Sequence, residues 1–70
     1  MKNNINKIRK EKGFTQVELA NACGVSRQTI NAIENDKYDP SLTLAFQLAH
    51  CLGLTVDQLF LYEMRGDVKE

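Results

Sequence analysis

The sequence predicts a compact all-α fold of five short helices, with residues 1–70 forming one domain that ends in a short C-terminal tail. Apolar residues recur at intervals of three and four in five segments, which is typical of helices that bury one face. Three of these segments are followed by a glycine and then by a Ser or Thr: Gly13 and Thr15, Gly24 and Ser26, Gly53 and Thr55. Glycine readily takes the left-handed conformation that ends a helix, and a Ser or Thr side chain caps the next helix.

The expected helices follow in order from these boundaries. They are α1 over about residues 4–12, α2 over 16–23, α3 over 27–34, α4 over 42–52 and α5 over 56–61. Capping-box spacing relates Thr15 to Glu18 and Thr55 to Gln58, and Ser41 is expected to open α4 after a proline. Apolar staples across the helix starts are expected in the pairs Phe14–Leu19, Val25–Ile30 and Leu54–Leu59.

Each helix also has its own inward-facing side chains. The residues expected to face the core are Ile5, Ile8, Leu19, Ala20, Cys23, Ile30, Ile33, Leu42, Ala45, Leu48, Ala49, Leu52, Val56, Leu59 and Phe60. Beyond α5 the pattern fits two structures, because Phe60, Tyr62 and Met64 alternate as on a strand, whereas Leu59, Phe60 and Met64 fit one side of a helix. Helix and strand both stay open for residues 61–66.

This apolar segment either closes the core or forms a dimer interface. A chain of this size buries too little surface to hold all of it internally, so we expect a homodimer that forms through residues 56–66. The side chains expected at the interface are Phe60, Leu61, Tyr62 and Met64.

The formal net charge is zero, but the charge is unevenly distributed. Residues 1–37 carry seven basic and four acidic side chains, net +3, whereas residues 38–70 carry two basic and five acidic side chains, net −3. Neutrality therefore does not argue against an anionic partner, since the basic half can face one.

Several other classes of protein are disfavoured. Cys23 and Cys51 have apolar neighbours and are expected to be buried thiols rather than a disulfide. The chain shows no leader pattern and no apolar run of membrane-spanning length, so we expect a cytoplasmic protein without membrane contact. One histidine, His50, and two cysteines do not make up the four ligands of structural zinc. The sequence has no credible nucleophile–base pair and no phosphate loop, so we expect neither an enzyme nor a cofactor.

Residues 15–35 predict a helix-turn-helix, with Gly24 in a tight turn between α2 and α3. Ile30 and Ile33 fix one side of α3 to the core. The other side carries hydrogen-bonding side chains, namely Ser26, Arg27, Gln28, Thr29, Asn31 and Asn35. Arg pairs with guanine O6 and N7, and Gln or Asn with adenine N6 and N7, so this face suits base reading in DNA.

These motifs resemble those of the phage repressor and Cro-type (XRE-like) family of helix-turn-helix regulators. The similar motifs are the Thr-Gln-x-Glu-Leu-Ala opening, the Gly-Val-Ser turn, the Ile-x-x-Ile-Glu-Asn close and the later Pro-Ser-Leu-x-x-Ala-x-x-Leu-Ala run. The resemblance covers about residues 4–61 and implies a lambda-repressor-like domain with α3 in the major groove.

The resemblance also implies roles for individual residues. Arg27, Gln28 and Asn31 occupy base-reading positions, whereas Ala32 offers at most a contact with a thymine methyl group. Arg9 and Glu34 match a scaffold ion pair between α1 and α3. The residues that match contacts with the DNA backbone are Gln16, Ser26, Thr29, Asn35, Lys37 and Tyr38.

The expected function is that of a sequence-specific, DNA-binding transcriptional repressor. Its partners would be double-stranded DNA, with a palindromic operator, and a second copy of the chain; no small-molecule effector is evident. The alternative is an antitoxin-like adaptor whose main ligand is another protein. The base-reading side chains of α3 favour DNA, whereas an exposed apolar patch outside the dimer interface would favour the adaptor.

Overall fold

A computed structural model of the protein describes residues 1–61. In chain order the elements are β1 (Lys2–Asn3), α1 (Ile5–Glu11), α2 (Gln16–Cys23), α3 (Arg27–Glu34), α4 (Leu42–Leu52), α5 (Val56–Leu59) and β2 (Phe60–Leu61). Three helices, α2, α3 and α4, have the predicted bounds. Both ends of α1 lie one residue inside the prediction, and α5 ends two residues early because β2 begins there.

The five helices agree with the prediction, and the structure adds a small sheet to them. Strands β1 and β2 pair antiparallel, with Lys2 opposite Leu61 and Asn3 opposite Phe60. The Asn4 N–H also donates to the Leu59 carbonyl at 2.8 Å, which continues the contact into the start of α1. Residues 60 and 61 are therefore strand, whereas the predicted dimer residues Tyr62 and Met64 lie outside the described residues.

The helix starts are capped largely as predicted. Thr15 and Glu18 form a complete capping box, in which the Glu18 N–H donates to Thr15 Oγ1 at 3.0 Å and Glu18 Oε1 accepts from the Thr15 N–H at 2.9 Å. The hydroxyls of Ser26 and Ser41 each accept a backbone N–H bond of 3.1 Å at the starts of α3 and α4. At the start of α5, Gln58 Oε1 accepts from the Thr55 N–H at 2.9 Å.

The end of α3 is unusual because a non-glycine residue takes the left-handed conformation there. Asp36 has φ +60°. The N–H of the next residue, Lys37, donates a hydrogen bond of 2.9 Å to the Ala32 carbonyl. This six-residue closure is the Schellman motif, which favours glycine at the left-handed position. Asp36 therefore holds a position that costs an L-residue conformational energy.

The core lies where α1, α2, α3, α4 and α5 meet. Its least accessible large side chains are Ile5, Leu19, Ile30, Ile33, Leu48, Leu52 and Leu59. The three predicted staple residues Phe14, Val25 and Leu54 pack against this core and are partly buried. Leu42 was wrongly expected in the core: it is 72% exposed, and Phe46, one turn further along α4, is 58% exposed.

Cys23 and Cys51 meet between α2 and α4, with 4.0 Å between their sulfur atoms. Both are free thiols, as the sequence predicts, but only Cys23 is buried, whereas Cys51 is half-buried. Burial, and then the neighbouring Cys51, raise the pKa of Cys23 to about 11. Among residues 1–61, no helix is long and apolar enough to cross a membrane.

Candidate nucleic-acid interface

The helix-turn-helix places one face of α3 on the surface. Ile30 and Ile33 are buried against the core, which turns Arg27, Gln28 and Asn31 outward, where all three are exposed. We call these three residues together with Gln16, which borders them from the start of α2, the recognition face. Ala32 is half-buried beside it and offers only a methyl group.

The first turn of α3 is tied together by its own hydroxyls. Ser26 Oγ accepts from the Thr29 N–H at 3.1 Å and lies 3.0 Å from Thr29 Oγ1. Both residues, predicted to contact the DNA backbone, thus lie at the N-terminal end of α3, where helix N–H groups favour anions.

A buried ion pair joins α1 to α3 behind the recognition face. Arg9 Nε donates to Glu34 Oε2 at 2.7 Å, and Arg9 Nη2 donates to Glu34 Oε1 at 3.3 Å. Their side chains are 8% and 3% exposed. A third bond runs from Arg9 Nη1 to the Phe14 carbonyl at 2.9 Å, so the guanidinium also ties down the segment before α2.

Two further donors converge on the same carboxylate. Asn6 Nδ2 and Gln16 Nε2 each donate to Glu34 Oε1 at 3.0 Å, so α1 and α2 both reach the end of α3 here. Burial raises the pKa of Glu34, but the hydrogen bonds from Arg9, Asn6 and Gln16 outweigh it, and the pKa is lower than usual. Glu34 is therefore an anion that depends on its donors. Asn6 was not predicted; its spacing of three from Arg9 on α1 was the available signal.

Gln16 is more constrained than its predicted role as a phosphate clamp implies. Besides the bond to Glu34, its Nε2 donates to Asn31 Oδ1 at 3.2 Å, and its Oε1 accepts from Arg27 Nη1 at 3.3 Å. Gln16 thus links the buried carboxylate to two of the predicted base-reading residues. A sequence pattern carries no signal for these side-chain bonds between α2 and α3.

Asn35 completes this arrangement at the end of α3. Its Nδ2 donates to the Asn31 carbonyl at 2.8 Å and to Asn31 Oδ1 at 3.2 Å. Lys37 and Tyr38 follow the Asp36 turn and are exposed. The predicted backbone-contacting residues of this loop therefore lie on the surface next to α3.

A second surface feature is a groove formed by the N-terminus, the segment before α4, α4 itself, α5 and β2. We call it the apolar groove, because most of its lining is apolar: Met1, Pro40, Leu42, Ala45, Phe46, Val56 and Phe60, together with the polar residues Asp39, Thr55 and Asp57. Phe60 is only 6% exposed and forms part of its floor, whereas the next residue, Leu61, is 44% exposed. Of the predicted interface residues within the described range, Leu61 therefore offers more surface than Phe60.

Comparison with known proteins identifies relatives over most of the chain. Residues 5–59 match the helix-turn-helix family HTH_3. An uncharacterized HTH-type transcriptional regulator of Methanocaldococcus jannaschii is 51% identical over 63 residues, covering 90% of this chain and 96% of that one. The immunity repressor protein of Bacillus phage phi105 is 42% identical over 55 residues, covering 79% of this chain and 38% of that protein.

A solved structure shows the same fold. The master regulator for biofilm formation SinR, crystallised in complex with DNA, superposes with a TM-score of 0.68 at 32% identity, covering 74% of this chain and 84% of that one. The family match, these relatives and this structural likeness each cover most of the chain. The protein therefore belongs to the helix-turn-helix family HTH_3 and is a DNA-binding transcriptional regulator of the phage repressor and Cro (XRE) type.

Proposed function

We propose that the protein is a sequence-specific transcriptional repressor that binds a palindromic operator as a homodimer, with α3 in the major groove. The observation that supports this most strongly is the recognition face. Arg27, Gln28 and Asn31 stand exposed on the side of α3 away from its buried isoleucines. Their forked donor and acceptor groups are those that read base edges in the major groove.

The contacts with the DNA backbone would flank this face at both ends. Ser26 and Thr29 lie at the N-terminal end of α3, and Asn35, Lys37 and Tyr38 lie in or near the loop beyond it. Gln16 would contribute through its backbone N–H at the first position of α2, since its side chain bonds to other residues. Such contacts fix the register of a protein on DNA without reading its sequence.

The proposed repressor role has support from relatives. One relative is named an immunity repressor, and the matching SinR structure is a complex with DNA. A repressor of this size would act by occupying its operator.

The proposed homodimer has support from the apolar groove. Phe46 is 58% exposed and Leu42 72% exposed in a domain whose remaining large apolar side chains are mostly covered. A second copy that packs on this groove and on Leu61 would cover them. Two-fold symmetry would then place two copies of α3 in successive major grooves about 34 Å apart, which matches a palindrome.

The groove also bears on the adaptor alternative. An adaptor would need an apolar surface separate from the dimer contact, but the groove includes Val56 and Phe60, which belong to the expected dimer region. The groove therefore favours a second copy over an unrelated protein.

Binding to duplexes selected from a random pool tests the proposal. Arg27→Ala should weaken specific binding by about 1–3 kcal/mol and relax the base preference at one position. Lys37→Ala should weaken selected and random duplexes alike, and affinity should fall steeply with salt. Absence of any enriched duplex at low salt would rule out the proposed function. Light scattering on a gel-filtration column measures the mass, and a 7.9 kDa species at high concentration would contradict the dimer.

A further inference from the structure

A chain of hydrogen bonds with a fixed direction runs from the buried carboxylate to the recognition face. It starts at Glu34, which is ionised and therefore only accepts hydrogen bonds. Gln16 must turn its NH₂ group toward this carboxylate, where Nε2 lies 3.0 Å from Oε1. The orientation of the Gln16 amide is thus set by the charge of Glu34.

That orientation dictates the bonds of the next side chains. A carboxamide NH₂ has two hydrogens, and Gln16 uses one for Glu34 and the other for Asn31 Oδ1 at 3.2 Å. The Gln16 oxygen then faces Arg27, which donates to it from Nη1 at 3.3 Å. Gln16 therefore has no side-chain donor left for a phosphate in this arrangement.

The amide of Asn31 is fixed in turn. Its Oδ1 accepts from Gln16 and also from Asn35 Nδ2 at 3.2 Å, which uses both lone pairs of that oxygen. Among the described residues, no acceptor bonds to Asn31 Nδ2. Asn31 thus presents two N–H groups, and its oxygen is occupied.

We propose that Gln16 is a specificity-determining residue that acts by positioning, because it makes Asn31, which lies on the recognition face beside the donor Arg27, donate rather than accept hydrogen bonds. Bidentate pairing of Asn with adenine needs both the amide oxygen and the amide nitrogen, and the oxygen of Asn31 is occupied. Guanine presents two acceptors, O6 and N7, in the major groove. The operator therefore places guanine opposite both Arg27 and Asn31. This inference rests on the proposed function, since it concerns how the same face reads DNA.

Selection from a random duplex pool, sequenced for wild type and variants, tests the inference. Arg27→Ala and Asn31→Ala first identify the base pair that each side chain reads, as the position where preference is lost. Wild type should enrich guanine at both positions. Gln16→Met keeps the length of the side chain and removes its amide, so Asn31 can turn and use its oxygen. The ratio of guanine to adenine at the Asn31 position should then fall about fivefold or more.

Two further variants separate positioning from folding. Gln47→Met makes the same change at an exposed site on α4, and should leave the base profile as in wild type. Asn35→Ala removes a single donor from Asn31 Oδ1 at an exposed site, and should shift the same ratio in the same direction by less. This variant provides the test if circular dichroism shows that Gln16→Met does not fold.

The possible outcomes distinguish the inference from the function on which it rests. Adenine enriched by wild type at the Asn31 position would overturn the inference and leave the regulator intact. An unchanged base profile in folded Gln16→Met, with affinity reduced alike for all duplexes, would also overturn it. A wild-type pool without any enriched sequence would overturn the proposed function, and the inference with it.

Discussion

The recognition face and the apolar groove belong to one small domain, but they differ in whether their exposed side chains already have partners within the protein. On the recognition face, Gln16 bonds to Asn31 and Glu34, and Asn31 also bonds to the adjacent Asn35. The ion pair behind this face is almost completely buried. In the groove, Phe46 and Leu42 stand in water without cover. Polar groups are satisfied by each other or by solvent, whereas clustered apolar groups gain free energy only when something covers them.

We infer from this contrast that one domain with no net charge serves two kinds of partner. The recognition face is ordered in advance by internal hydrogen bonds, and under the proposed function it would read DNA by the direction of its donors. The groove has no comparable network and depends on burial of apolar area. Changes on the recognition side should therefore alter stability or base preference, and changes in the groove should alter assembly.

The largest expected effect comes from breaking the ion pair behind the recognition face. Arg9→Met should reduce the free energy of unfolding by about 3–5 kcal/mol, because it leaves the buried Glu34 without its cation. Urea denaturation followed by circular dichroism measures this loss. Lys10→Met, at the exposed neighbouring position, should change stability by about 0.5 kcal/mol or less. Equal effects of the two substitutions would contradict the structural role of the pair.

A smaller effect is expected from adding charge to the groove. Phe46→Lys should weaken dimerisation by about 2 kcal/mol and leave the fold of the protomer intact, because the side chain is 58% exposed. Analytical ultracentrifugation gives the dissociation constant. Gln47→Lys, one residue further along α4, is the matched control. An unchanged dissociation constant for Phe46→Lys would show that the dimer interface does not lie in the groove.

The stability of the protein at acid pH should show how much the charge of Glu34 contributes, apart from the shape of its side chain. The pKa of Glu34 is lower in the folded protein than usual, because its three donors outweigh the effect of burial. The ionised carboxylate therefore stabilises the fold above the unfolded value of about 4.3, and this contribution is lost as pH falls through the folded pKa. Glu34→Gln should have a lower free energy of unfolding than wild type at neutral pH, and this difference should decrease as the pH is lowered. Urea denaturation at several pH values measures it. A difference that stays constant from pH 7 to pH 3 would contradict the role of the charge.

The smallest expected effect concerns the turn after α3. Asp36→Gly should raise the free energy of unfolding by about 1 kcal/mol, since glycine adopts φ +60° without strain. The substitution also removes a negative charge beside Lys37, so DNA binding should tighten slightly at low salt. Asp36→Ala removes the same charge and keeps the strain, and it should not stabilise the fold. Thermal denaturation of the two variants compares them directly.

The bounds of the three longest helices, α2, α3 and α4, were predictable from the sequence. The bounds of α2, α3 and α4 follow from a Ser or Thr cap at the start, and α2 and α4 also end at a left-handed glycine. No such local signal exists for β1, whose two residues have no alternation and whose partner strand lies at the far end of the described chain. The Asp36 turn lacked its usual glycine. Helix α5 stops early because pairing with β1 draws Phe60 into extended backbone.

The candidate site, like the fold, has parts that the sequence predicts and parts that it does not. The side of α3 that faces outward follows from the spacing of Ile30 and Ile33, and the partners Arg9 and Glu34 follow from the family resemblance. The bonds of Gln16 do not, since they depend on how α1, α2 and α3 approach one another. A local pattern fixes which side chains share a face, but the direction of an amide depends on neighbours that only the folded chain brings together.

The pairing of β1 with β2 has a consequence for the kinetics of folding. Helix α3 packs against its neighbour in sequence α2, and α5 against α4, whereas the sheet joins the two ends of the described chain. Closing so long a loop costs chain entropy before the strand bonds compensate for it, so the sheet should form late. Substitutions that weaken it should accelerate unfolding and leave the rate of folding almost unchanged. The four residues of β1 and β2 would then govern how long the folded state lasts once it has formed.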